Sequence, residues 1–259
     1  MSVPVPEAFI PYTVLVFNII FFKIMRGMTF AVIPHSFRPL VAELISTLEL
    51  CSDCAELGVV YERHGSIALG LALGLVCFWW CQVFEDTEAC PCGPIEDYVL
   101  RIPSPSGDIS KKLLGQVIGG IITTWYIKSI WSFHLVTEHR ALHTAQQCEA
   151  GLQVTILWGA LIEGFITFIS RLVALQSGKW DARTAAIANS ITTVVLVLAA
   201  LNTTGGFFNP ILASALTLGC HGNTIIEHFI VYWIGALIGG LIARVLHQAL
   251  EGTTKEKGA

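Results

Sequence analysis

Gly205-Gly206-Phe207-Phe208-Asn209-Pro210-Ile211-Leu212-Ala213-Ser214-Ala215-Leu216 is the stretch whose reading decides how this chain folds. It follows a long apolar run at residues 185–201 and precedes another at residues 224–247. Asn209 suits an N-cap, Pro210 the first helical position, and residues 211–218 are mostly apolar helix formers. The helix they predict has about two to three turns, too short for roughly 30 Å of hydrocarbon. A short capped helix between two spans reads as a re-entrant half-helix. Such backbone is stable at membrane depth only where protein buries it or it lines a watery cavity. Asn-Pro is also common in surface turns, so these twelve residues alone leave both readings open.

Composition narrows the choice. The chain has 259 residues, 54% hydrophobic and 13% charged, with a mean hydropathy of +0.66. Soluble domains carry about 25% charged residues. With repeated apolar runs of about twenty residues, this describes an all-α polytopic membrane protein set in a lipid bilayer. The net charge of −4 and the lack of a basic tail give no sign of nucleic-acid binding. The eight cysteines fall mostly within or beside apolar runs, unlike a secreted disulfide framework. Cys51-x-x-Cys54 has no second ligand pair at metal spacing and no soluble βα context, so neither a metal nor a cofactor is expected there.

In order, residues 8–33 form a first apolar run whose basic residues, Lys23 and Arg26, come late. It reads as a retained span or signal anchor within an N-terminal unit of residues 1–36, not as a cleaved leader. Residues 37–61 are polar for a span, with Glu43, Glu49, Asp53 and Glu56. Residues 66–84 are Gly-spaced early and end in Trp79-Trp80. Cys90-Pro91-Cys92-Gly93-Pro94 opens a short segment to Leu100, followed by a Pro/Ser/Gly loop at 103–108. Residues 113–135 span again, with Gly115, Gly119 and Gly120 for close helix contact. The loop to about 149 contains His134, His139 and His143, expected to be solvated. Further spans at 151–176, 183–201 and 224–247 precede a solvated tail at 248–259.

Laid on itself, the chain repeats. Glu43-Leu-Ile-Ser-Thr47 recurs as Glu163-Gly-Phe-Ile-Thr167 at an offset of 120, and Pro91 recurs as Pro210 at an offset of 119. Gly115-Gln116-Val-Ile-Gly-Gly120 resembles the end of Tyr232-Trp-Ile-Gly-Ala-Leu-Ile-Gly-Gly240. Residues 37–135 and 150–247 thus each read as span, span, Pro-started half-helix, span. Three spans per repeat invert the second half relative to the first, which places a pathway at the midplane. With the C-terminus in the cytosol, twelve of the 15 Lys and Arg fall on the cytosolic side. That requires residues 8–33 to cross as a seventh span. Cys148 and Cys220 then share the opposite side, which leaves a disulfide between them open. Glu43 and Glu163 sit inside spans at equivalent places. Each is expected to accept backbone N–H groups from a re-entrant loop, the competing reading being a proton-relay carboxylate.

These residues resemble the aquaporins: two spans, an Asn-Pro box and a span, duplicated, with a Glu in the first helix of each half. Gly206-Phe-Phe-Asn-Pro-Ile-Leu-Ala-Ser-Ala, followed by Glu227-His-Phe-Ile-Val-Tyr-Trp-Ile-Gly, is most similar to the intracellular superaquaporin branch. The resemblance covers residues 37–247. It implies an inverted repeat around one pore per subunit, a homotetramer, and an intracellular membrane such as the endoplasmic reticulum. The pore boxes would be Cys90, Pro91 and Cys92 in the first half and Asn209, Pro210 and Ile211 in the second. In the first box cysteine replaces both the usual Asn (Cys90) and the usual Ala (Cys92), and a thiol is a weak donor and poor cap. By the family's spacing the selectivity constriction falls at Gly70, Val197, Gly206 and Leu212, and Leu212 stands where an Arg is usual. The resemblance therefore implies a wider, more apolar filter, passing water and small neutral solutes such as glycerol or hydrogen peroxide. A poorly conducting protein of the same architecture with a structural role is the alternative. No nucleophile–base pair supports an enzyme.

Overall fold

The computed structural model describes residues 5–102, 109–145 and 148–257, so the loop expected at 103–108 lies outside the described residues. The long helices are α1 (Ile10–Val32), α2 (Arg38–Val83), α4 (Ile109–Trp131), α6 (Ile156–Ser177) and α7 (Ala182–Ala200). Two short helices, α3 (Cys92–Val99) and α8 (Pro210–Thr217), follow the two Pro boxes, and α5 (Thr137–Thr144) lies in the loop between the halves. The last helix begins as α9 (Ile225–His228), passes through a π-helical segment (Phe229–Gly235) and continues as α10 (Ala236–Lys257). Among the described residues, five helices are long and apolar enough to cross a membrane. The chain is a multi-pass, all-α membrane protein.

The stretches expected to span at 37–61 and 66–84 are two helices that run together as α2 and meet at a kink at Gly65, whose own backbone is not helical (φ 79°, ψ −175°). That left-handed φ is open to glycine at little steric cost, so the chain turns within one residue and needs no separate loop. The expected tail is helical through Lys257. Residues 8–33 form a folded helix: Phe22 of α1 is fully buried against Ile45 and Leu48 of α2.

The two halves pack alike because glycines recur at matched places. A Cβ on Gly115 or Gly119 would press on the Leu40 or Leu44 carbonyl, and one on Gly235 or Gly239 on the Ala160 or Gly164 carbonyl. These pairs repeat at the offset of 120. In each half the first and third helices therefore approach at backbone distance, which only small residues permit.

Polar side chains fasten α1 to that frame. Arg26 Nη2 donates to Glu49 Oε2 at 2.6 Å, and Asn18 Nδ2 donates to Asp53 Oδ1 at 3.0 Å. Trp79 and Trp80 give their indole N–H groups to the same two carboxylates at 3.0 and 3.3 Å. The acidic residues that make α2 look polar for a span thus face protein, each with donors.

Candidate functional site

The site grows from two buried carboxylates. Glu43 accepts from Glu88 N at 3.1 Å and Ala89 N at 3.0 Å. Glu163 accepts from Phe207 N at 3.2 Å and Phe208 N at 2.7 Å. Both are fully buried, and each secures the two residues before its own box. The residue preceding each box turns to positive φ, 50° at Ala89 and 33° at Phe208. A β-carbon makes that conformation unfavourable, so the carboxylate bonds offset a local strain. Thr204 Oγ1 adds a bond to Glu163 at 2.5 Å. In the first half Gln116 Nε2 bonds both Glu43 Oε2 at 3.0 Å and the Cys90 carbonyl at 3.1 Å.

The second box starts its helix as a capped turn. Asn209 has extended backbone, and its Oδ1 accepts from Ile211 N and Leu212 N at 3.1 and 3.3 Å. Its Nδ2 donates to the Ala89 carbonyl at 2.8 Å, so the two re-entrant loops touch directly. The amide keeps a second N–H. The first box is weaker. Its half-helix begins at Cys92, two residues after the expected start, with Pro91 at the cap position and no side-chain cap. A cysteine at 90 has no oxygen with which to cap, so the helix starts only once the Pro91 carbonyl accepts from Ile95 N at 3.1 Å. Cys92 is fully buried and Cys90 half-buried.

Of the constriction positions, Gly206 (φ 66°) lies against the backbone of Val197, where a Cβ would come within 3.1 Å. Gly70 faces Val194 and Leu198 of α7. Leu212 packs in a separate apolar cluster with Cys51, Ile211 and Phe207.

Other parts were not visible from sequence. Arg171 of α6 holds Glu96 through two bonds of 3.0 and 2.6 Å and Glu88 through one of 3.1 Å, while Arg244 holds Asp97 at 2.9 Å. The second half thereby clamps the first half-helix. Arg171 lies inside an apolar run, which marks it as a residue needing a buried partner, though not which one. The π-helical segment shifts the last helix so that Tyr232 OH reaches the Thr204 carbonyl at 2.7 Å. Trp233 Nε1 donates to Ser214 Oγ of α8 at 2.9 Å, and that hydroxyl lies 3.1 Å from His228 Nε2.

The loop between the halves departs from expectation at one histidine. His139 is fully buried, with Nε2 2.9 Å from Glu56 Oε1, because α5 turns inward against α2. Arg63 and Glu138 form an ion pair beside it. His134 and His143 lie at the surface side of the loop, 2.9 Å apart. Cys148 and Cys220 are joined by a disulfide. Among the described residues no group of three or more His, Cys, Asp or Glu is placed to hold a metal ion.

No family model matches the chain. Among individual proteins, it is 29% identical over 240 residues to "Aquaporin-11" of Milnesium tardigradum, covering 91% of this chain and 87% of that one. It is 30% identical over 213 residues to "Aquaporin-11" of Equus caballus, covering 80% and 75%. "Aquaporin-12" of Mus musculus is 29% identical over 213 residues, covering 79% and 72%. Among solved structures, the aquaglyceroporin from Plasmodium falciparum superposes with a TM-score of 0.60 at 14% identity, over 80% of this chain and 93% of that one. At that identity the likeness speaks for the fold.

Proposed function

The chain belongs to the aquaporin family, in its superaquaporin branch, and from that premise we propose that it is a channel for passive permeation of water and small neutral solutes. Members of this family are channels and not enzymes. The observation that carries the reading is the bond from Asn209 Nδ2 to the Ala89 carbonyl at 2.8 Å. It brings two half-helix starts together, each projecting about half a positive charge. Two such ends facing one another disfavour protons and cations, while the remaining amide N–H of Asn209 can donate to a passing oxygen.

The solute range follows from the constriction. Leu212 is shorter than an Arg and offers no cation and no donor, so the filter is wider and more apolar than one built around an Arg. Glycerol and hydrogen peroxide fit such a filter beside water. The Cys148–Cys220 disulfide supports an oxidising lumen on the face opposite the basic loops, and so a cytosolic C-terminus in an endoplasmic-reticulum membrane. A homotetramer follows from the family.

The uncapped first box favours a second reading, an aquaporin-fold protein that conducts weakly and serves a structural role. Stopped-flow permeability of proteoliposomes separates the two. The channel requires water, glycerol or peroxide flux above that of empty liposomes, reduced severalfold by Asn209→Asp, which sets an oxygen against the Ala89 carbonyl. Flux equal to empty liposomes, with folded and inserted protein, selects the structural role.

A further inference from the structure

A cavity of about 330 Å³ lies away from both boxes, between the end of α1, the start of α2 and the turn before the first half-helix. Arg26, Arg38, Lys112, Ser46 and Thr87 are among its lining residues. Glu43, Glu85 and Asp86 share that lining.

Its cations are under-compensated. Lys112 is 5% exposed, and its Nζ has a single partner, the Asp86 carbonyl at 3.2 Å. Arg38 Nη2 donates only to the Phe30 carbonyl at 3.2 Å, and its Nε has no partner. Among the described residues neither side chain forms an ion pair; Glu88 lies near enough to act on the Lys112 charge, but it is held by Arg171 at 3.1 Å. Arg26 is 9% exposed; one nitrogen serves Glu49 and Ser46, while Nε and Nη1 are buried with no partner. Burying an ammonium or guanidinium without a counter-ion is costly.

The carboxylates in the wall do not fill this role. Glu43 turns both oxygens to the first box, accepting from Glu88 N, Ala89 N and Gln116 Nε2 and bonding none of the three cations. Glu85 and Asp86 are exposed, where water screens them, and Asp86 presents its backbone carbonyl to Lys112. Ser46 and Thr87 bond each other at 2.8 Å and complete a polar wall.

We propose that this cavity is an anion site for a phosphate ester, either the headgroup of an acidic phospholipid or a water-soluble organic phosphate. Guanidinium and ammonium groups around a membrane-end pocket match that chemistry. The volume falls at the small end of ligand pockets. The proposal does not depend on what the pore conducts.

Native mass spectrometry of the detergent-purified full chain, loaded with phosphatidylserine or phosphatidylcholine, tests it. A parallel thermal-shift titration uses glycerol 3-phosphate. A lipid source requires retention of phosphatidylserine over phosphatidylcholine, weakened about fivefold by each of Lys112→Gln and Arg38→Gln, the effect of one basic residue near an anionic surface. A soluble source requires glycerol 3-phosphate to stabilise the protein, with the same sensitivity and no lipid preference. Arg38 is only half-buried, so Arg38→Gln decides the matter if Lys112→Gln fails to fold. No preference and no stabilisation, or binding indifferent to Arg38→Gln, overturns the site.

Discussion

Asn209 joins the two halves of the chain through one bond, its Nδ2 donating to the Ala89 carbonyl at 2.8 Å while its Oδ1 caps the half-helix behind it. The internal repeat makes Cys90 the counterpart of Asn209, and Phe208 the counterpart of Ala89. The reciprocal bond, from residue 90 to the Phe208 carbonyl, has no amide to make it. One of two symmetry-related junctions is therefore missing.

Cys90→Asn supplies the missing group. With an amide at position 90 the half-helix can start one residue earlier, at Pro91, under a side-chain cap worth about 0.5–2 kcal/mol, and an N–H is aimed across the midplane. The variant is expected to unfold at higher temperature in detergent and to raise water permeability in proteoliposomes. Lower stability with unchanged flux would mean that position 90 does not face the junction that the repeat assigns to it.

That symmetry explains what was legible beforehand. The half-helices, the paired glutamates and the glycines at 115, 119, 235 and 239 all leave marks at a fixed offset, because each half must satisfy the same backbone groups in the same way. The break between the first two spans was legible from their separate apolar runs, and it falls at Gly65, whose non-helical backbone turns the chain without a loop. His139 looks solvated in the sequence because its partner, Glu56, is 83 residues away and no spacing connects them. The Arg171–Glu96 clamp and the π-helical shift were hidden for the same reason: long-range partners leave no period in the sequence.

Glu163 is expected to tolerate removal badly. Glu163→Ala leaves Phe207 N, Phe208 N and the Thr204 hydroxyl buried without their acceptor. At about 1–3 kcal/mol for each unsatisfied group, the loss is at least several kcal/mol. Glu163→Gln keeps one oxygen and should fall between the variant and the parent. Thermal unfolding of the three proteins checks the order, and a Gln variant as unstable as the Ala variant would make the charge, not the acceptor count, the deciding term.

Gly239→Ala tests the close approach of the last helix to α6. Its Cβ would meet the backbone of Gly164, which has no side chain to give way, whereas a Cβ on Gly27 would meet nothing within 4 Å. Overpacking of this kind costs about 1–3 kcal/mol, while Gly→Ala in an open helix position stabilises by up to about 1 kcal/mol. Opposite signs for Gly239→Ala and Gly27→Ala in one unfolding assay are expected. A neutral Gly239→Ala would show that the two helices can separate without loss.

Leu212→Arg addresses the filter. Leu212 is 8% exposed and packs with Cys51, Ile211 and Phe207, so an Arg there has only the pore side in which to hydrate its guanidinium. Placed so, it narrows the constriction and adds donors and a positive charge. Glycerol and hydrogen peroxide permeability should fall several-fold more than water permeability, measured on the same vesicles. The apolar cluster also loses a member, so unfolding temperature should drop; the ratio of solute to water flux removes that effect, because it is independent of how much protein has folded. An unchanged ratio in folded protein would take Leu212 out of the constriction and return it to the core of the half-helix.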